Sequence, residues 1–222
     1  MITVIILDNN EPKVIELTYE NLWRELKDIP GSELVVSDEW FTPLQRVKNP
    51  YVCFVEPDCL VTSGYFSSQM GLLKKNPMFR KIAMMSSATG VNNWANKFYG
   101  YNIGNDYADG ILPNKEKKSN QVYPVQIGYV PGSIISMSIL MPTIREVKPT
   151  NRWKKDLVFL STQLSLAFWT GGIGTKPSSY SGNRVHINPN VTYVTTEDYV
   201  NDIGKFKHDG ANLADLFKRE SI

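Results

Sequence analysis

Two cysteines and two histidines are the only thiol and imidazole metal ligands among 222 residues. Cys53 and Cys59 are not spaced as a CxxC pair, which argues against a zinc site. They read as reduced, packed thiols rather than a disulfide. No apolar run approaches the ~20 residues needed to cross a bilayer. The longest candidates, around Tyr51–Val55 and Ile134–Met141, suit buried strands. The first residues, Met1 to Asp8, carry no basic segment and no small-residue cleavage site, so no signal peptide is expected and the location expected is cytoplasmic. Charge of one sign is also missing. Twenty-four Lys+Arg against 22 Asp+Glu leave +2, which argues against a strongly basic nucleic-acid module but allows local patches. What remains is 42% hydrophobic and 21% charged, an ordinary globular balance. The length suits one domain with its own core.

The first ~90 residues alternate strand and helix signals. Ile2–Leu7 is an unbroken run of β-formers stopped by Asp8-Asn9-Asn10. Leu22, Leu26 and Ile29 follow at helical spacing, with Thr18 as a possible N-cap and Pro30-Gly31 as the stop. Glu33–Val36 and Tyr51–Val55 read as further strands, and Thr42-Pro43 as the start of a short helix. Ser63 to Asn76 reads as a helix with Tyr65, Phe66, Met70 and Leu73 on its apolar face, and Ile82–Ser86 as a strand. This order predicts an α/β fold with a mostly parallel central sheet flanked by helices. Residues 90–122 are rich in Asn, Gly, Tyr and Lys and read as one long excursion. Val125–Met141 returns to β character, Lys155–Trp169 to helix, and a strand pair is expected at Val185–Ile187 and Val191–Val194. Asn212–Arg219 reads as a terminal helix.

Ligands of open parallel sheets bind beyond the carboxyl ends of the strands. Three acidic positions fall there: Asp8, the Ser37-Asp38-Glu39 group, and Glu56-Pro57-Asp58. Together they suit a hard divalent cation, Mg²⁺ or Mn²⁺, that neutralises a phosphate-bearing ligand. Acidic residues also simply end strands and cap helices, and Asp8 and Asp38 read either way.

The stretch from Asn49 through Glu56-Pro57-Asp58 to Gly64-Tyr65-Phe66 resembles the metal-site segment of GT-A fold glycosyltransferases, especially inverting family 2. There a buried strand ends in an acidic-x-acidic motif, and a short loop with a glycine and an aromatic opens a helix. Ile2–Asn10 resembles the family's first strand and nucleotide loop, and Leu34–Glu39 its second strand. Val130-Pro131-Gly132-Ser133-Ile134 resembles the turn of the acceptor region, and Leu164-Ser165-Leu166 through Gly171-Gly172 the late helix. The resemblance implies one GT-A-like (Rossmann-like) domain over residues 1–222. Residues 1–90 would form a nucleotide-binding half, and 91–222 an acceptor half with a C-terminal helix. It implies a metal-dependent transfer of a sugar from a nucleotide-sugar, a UDP-sugar foremost, to a hydroxyl acceptor. Glu56 and Asp58 would flank Mn²⁺ or Mg²⁺, Asp8 and Asp38 would contact the nucleoside, and His208 in Lys205-Phe206-Lys207-His208 would add a metal or phosphate contact.

One part of the pattern is missing. Where the family carries an acidic pair ahead of the late helix, this chain has Leu160, Ser161, Thr162 and Gln163. Asp156 is the closest carboxylate that can serve as the base, and it reads equally as a first-turn helix acid favoured by the dipole. Asp106 and Asp109 are alternatives, as is a nucleotide-sugar-binding protein without activity. His186 reads as structural. Trp94, Phe98, Tyr99 and Tyr101 read either as a sugar-stacking flap or as a packed cluster. Lys74-Lys75, Lys115 with Lys117-Lys118, and Arg152 with Lys154-Lys155 are solvated faces, or a surface for a polyanionic acceptor such as DNA, which phage enzymes of this class glycosylate.

Overall fold

Thr3–Leu7 forms strand β1, buried along its whole length, as a continuous apolar run between turn residues should be. The computed structural model describes residues 1–8, 11–77, 79, 82–91, 97–103, 111–113, 122–125, 127–147, 149–150, 153–170 and 185–195. After β1 come helix α1 (Pro12–Leu26), β2 (Glu33–Ser37), a 3-10 turn at Thr42–Gln45, β3 (Tyr51–Val55), β4 (Leu60–Val61) and α2 (Tyr65–Lys75). β5 (Met84–Val91), β6 (Lys97–Phe98), β7 (Tyr101–Ile103), β8 (Ile111–Pro113), β9 (Tyr123–Val125) and β10 (Ile134–Ser136) follow, then α3 (Met137–Val147), α4 (Trp153–Thr170) and β11 (Val185–Thr195). Among the described residues, no helix is long and apolar enough to cross a membrane.

The main sheet runs β2-β1-β3-β10-β5-β11-β4, with β6 beside β5 and β9 beside β11. β1 is parallel to β2 and β3, and β11 is parallel to β5. β10 is inserted antiparallel between β3 and β5. The expected parallel set is therefore present in β2, β1, β3, β5 and β11, with β10 reversed at its centre and β4, β6 and β9 antiparallel beside β11 and β5. That reversal matters for the site. An antiparallel strand begins where its neighbour ends, so the turn before β10 lies at the carboxyl end of β3, and it passes beside Ser86 and Ser87 in the middle of β5. The Gly132 N–H accordingly donates to Phe54 O at 2.6 Å.

Several local expectations are corrected. Thr18 is no N-cap: α1 starts at Pro12, where the missing N–H costs nothing, and Thr18 sits in the helix middle. The β character read through Met141 stops at Ser136, and Met137 begins α3. The pair at Val185–Ile187 and Val191–Val194 is one strand, β11, whose register against β5 shifts between Asn188 and Thr192, around Pro189. Residues 90–122 are not one structureless excursion, since they include β6 and the separate β7–β8 pair. Phe98 and Tyr99 are buried, which fits the packed cluster rather than the flap. Asn212–Arg219, Trp94, Asp106, Asp109 and His208 lie outside the described residues.

Candidate functional site

The sheet register brings the strand-end acids to one edge. Ile6 pairs with Val55 and Leu7 with Ser37, so Glu56 lies level with Leu7 and Asp38 level with Asp8. The Asp8 N–H donates to Ser37 O at 2.7 Å, which ties the ends of β1 and β2 together. Asp8 opens onto a hollow of about 640 Å³ lined also by Ile15, Glu16, Tyr19 and Val36. Asp38 is exposed beside it. Its neighbour Glu39 is held only locally: its N–H donates to Ser37 Oγ at 3.2 Å, and its carboxylate accepts from Thr42 Oγ1.

The end of β3 is built differently. Glu56 points inward and is 1% exposed, whereas Asp58, two residues on, is exposed. Tyr129 Oη lies 2.8 Å from Glu56 Oε2 and 2.6 Å from Thr195 Oγ1. Thr195 Oγ1 also donates to Glu56 Oε2, and Tyr193 Oη stands 3.4 Å from it. The Glu56 N–H donates to Tyr193 Oη at 3.0 Å, and the Cys59 thiol donates to Glu56 O at 2.9 Å. Burial pushes the Glu56 carboxyl up to about 8, with the nearby Asp58 charge adding to the rise, while the Tyr129 hydroxyl and the Lys154 charge oppose it. The same burial raises the Cys59 thiol and the Tyr193 phenol.

The turn before β10 closes over this cluster. Gly132 has φ +74°, and a Cβ there would stand 2.2 Å from Tyr193 Cδ2, so only glycine fits. Tyr65 Oη donates to Gly132 O and lies 2.7 Å from Ser87 Oγ. Ser133 Oγ lies 2.9 Å from Ser86 Oγ and donates to Tyr129 O.

From outside, α1 holds the same loop with one stripe of side chains spaced three and four apart. The Thr18 hydroxyl sits 2.5 Å from Pro57 O and 3.3 Å from Cys59 O. Asn21 accepts from the Val61 N–H at 2.9 Å and donates to Val61 O at 3.3 Å. Glu25 accepts the Tyr65 N–H at 2.9 Å. It thereby caps α2, whose own N-cap Gly64 has no side chain to do so. The chain from Glu56 to Tyr65 is thus bonded from both sides, and Asp58 is the carboxylate it leaves facing solvent.

Asp156 is the other buried carboxylate among the described residues, at 5% exposure. It accepts from Trp40 Nε1 at 2.9 Å, from the Thr150 N–H at 2.7 Å and from Thr150 Oγ1 at 2.7 Å. Both oxygens are engaged, and they fasten the first turn of α4 to the loop after β2. Among the described residues, no three His, Cys, Asp or Glu side chains gather closely enough to hold a metal by themselves. A cage for a resident cation is absent there. One exposed carboxylate does fit a Mg²⁺ or Mn²⁺ that keeps waters and arrives on substrate phosphates.

Sequence reading missed Tyr129, Tyr193 and Thr195. The available signal was chemical: a tyrosine in an apolar strand needs a partner for its hydroxyl, and a buried strand-end acid supplies one.

No family model matches the chain, and neither does any curated protein. Solved structures do. Residues 1–349 of S. aureus TarS in complex with UDP-GlcNAc superpose with a TM-score of 0.53 at 13% identity, covering 88% of this chain and 58% of that one. The fold is GT-A-like. A further TarS 1–349 structure gives a TM-score of 0.48 at 11% identity, covering 98% of this chain and 68% of that chain. The chain spans 58% of the length of the first of these. At this identity, the likeness speaks for the fold of the chain.

Proposed function

We propose that the chain is a glycosyltransferase that moves a sugar from a nucleotide-sugar, a UDP-sugar first, to a hydroxyl acceptor with the help of Mn²⁺ or Mg²⁺. The supporting observation is the end of β3, where a GT-A-like sheet presents Asp58 to solvent from a loop bonded on both sides. The UDP-GlcNAc of the TarS complex favours a UDP-linked donor. In this reading Asp58 meets the cation that the diphosphate carries, while Asp8, which lines the hollow beside β1, and Asp38, exposed at the end of β2, contact the nucleoside. A divalent cation bound there supplies charge neutralisation for the departing nucleoside diphosphate. Lys154, exposed on the first turn of α4, adds positive charge that already acts on Glu56. The fixed loop spares the reorganisation that a mobile one would need when the leaving group gains charge.

Asp156 is engaged by three donors, an environment that suits an anchor. That observation favours a second reading, a nucleotide-sugar-binding protein without turnover. A panel of UDP-, GDP-, dTDP- and CMP-sugars with Mn²⁺ separates the two. The enzyme releases nucleoside diphosphate from one of them, by transfer or slow hydrolysis. The binding protein is stabilised by one of them and releases nothing.

A further inference from the structure

We infer that Glu56 is a positioning residue and not a metal ligand: it is the internal pin that leaves Asp58 as the single carboxylate of this loop able to meet a cation and its diphosphate. This inference rests on the donor-site reading above. Glu56 and Asp58 stand two apart in the motif, yet the first is 1% exposed and the second exposed. A ligand must offer a lone pair toward the rim. Glu56 is almost wholly enclosed, and its Oε2 is approached by the hydroxyls of Tyr129 and Thr195, with Tyr193 at 3.4 Å. Those residues come from the segment before β10 and from the end of β11, so the pin joins three segments 66 to 139 residues apart in sequence. The Glu56 N–H is used as well, on Tyr193. With Thr18 holding the Pro57 and Cys59 carbonyls from the other side, the backbone on both sides of Asp58 is fixed. Hydrogen-bonded supports of this kind typically govern metal affinity about tenfold or more without touching the metal.

The test is calorimetric binding of UDP with Mn²⁺ to the full chain and its variants, each checked for a native near-UV spectrum. Asp58→Asn should lower affinity at least tenfold. Glu56→Ala should lower it about tenfold, and Glu56→Gln, which keeps an acceptor for the hydroxyls, should return it to within about threefold of wild type. A ligand carboxylate would not be rescued by the amide. Tyr129→Phe leaves the carboxylate intact and removes a donor, so it should lower affinity severalfold. Loss in Glu56→Gln equal to that in Asp58→Asn overturns the inference, as does unchanged or tighter binding in Tyr129→Phe. If wild type itself binds no Mn²⁺–UDP, the donor-site reading falls and takes the inference with it.

Discussion

The ends of β2 and β3 lie on the same edge of the sheet, and both carry acidic residues, but they are held by different means. At β2, Asp38 and Glu39 are exposed and Glu39 is bonded only to Ser37 and Thr42, so the long-range bonds there, from Asp8 to Ser37 and from Trp40 to Asp156, flank the acids without engaging them. At β3, the loop is bonded from inside by Tyr129, Tyr193 and Thr195 and from outside by Thr18, Asn21 and Glu25. The lesson is that an acidic strand end becomes a defined site through long-range support, not through its own composition. The loop after β3 is fixed on both sides of Asp58, whereas the side chains of Asp38 and Glu39 are held by local bonds at most.

The largest expected effect breaks the β3 end from above. Gly132→Ala drives a Cβ into the Tyr193 ring at a residue with φ +74°. Strain and overpacking together should cost about 4 kcal/mol, read from the denaturation midpoint. A loss under about 1 kcal/mol would mean that the turn does not press on the cluster.

Next is pH. Burial raises the Glu56 carboxyl from 4.5 in the unfolded chain to about 8 in the folded one. Between those values the folded state keeps a proton that the unfolded state has released. The stability this contributes is complete below about pH 4.5 and is lost progressively as pH rises through about 8. In Glu56→Gln that decline should flatten when denaturation midpoints are compared from pH 5 to 8.5. An equally steep decline in the variant would contradict the raised carboxyl.

A smaller effect comes from outside the loop. Thr18→Val deletes the hydroxyl over Pro57 O and Cys59 O at nearly constant volume, and should cost about 1–2 kcal/mol by urea denaturation. The smallest is at β2, where Asp38→Asn should change stability by less than about 0.5 kcal/mol. A larger loss there would erase the contrast between the two strand ends.

Much of this was readable from the chain. Tyr51–Val55 and its acidic stop are legible because an apolar run bounded by turn residues is a local signal, and the strand has those bounds. The alternation of the first 90 residues gave the parallel sheet for the same reason. Thr18 was misread because α1 begins at Pro12 without a side-chain cap, so the cap-like residue had another task. The partners of Glu56 could not be read. Tyr129 and Thr195 reach it across 73 and 139 residues, and the reversed strand β10 and the shifted register of β11 that bring them there leave no period in the sequence. Burial then gave the two acids of one motif opposite surroundings.

The most direct test of the central claim is the melting temperature with Mn²⁺ and a UDP-sugar, with and without EDTA, in wild type and Asp58→Asn. A ligand at a hundred times its Kd stabilises by about 2.7 kcal/mol, so the account predicts a rise of several degrees in wild type. EDTA or Asp58→Asn should abolish it. No response to any nucleotide-sugar in the panel, or an equal rise in the variant, would contradict the account.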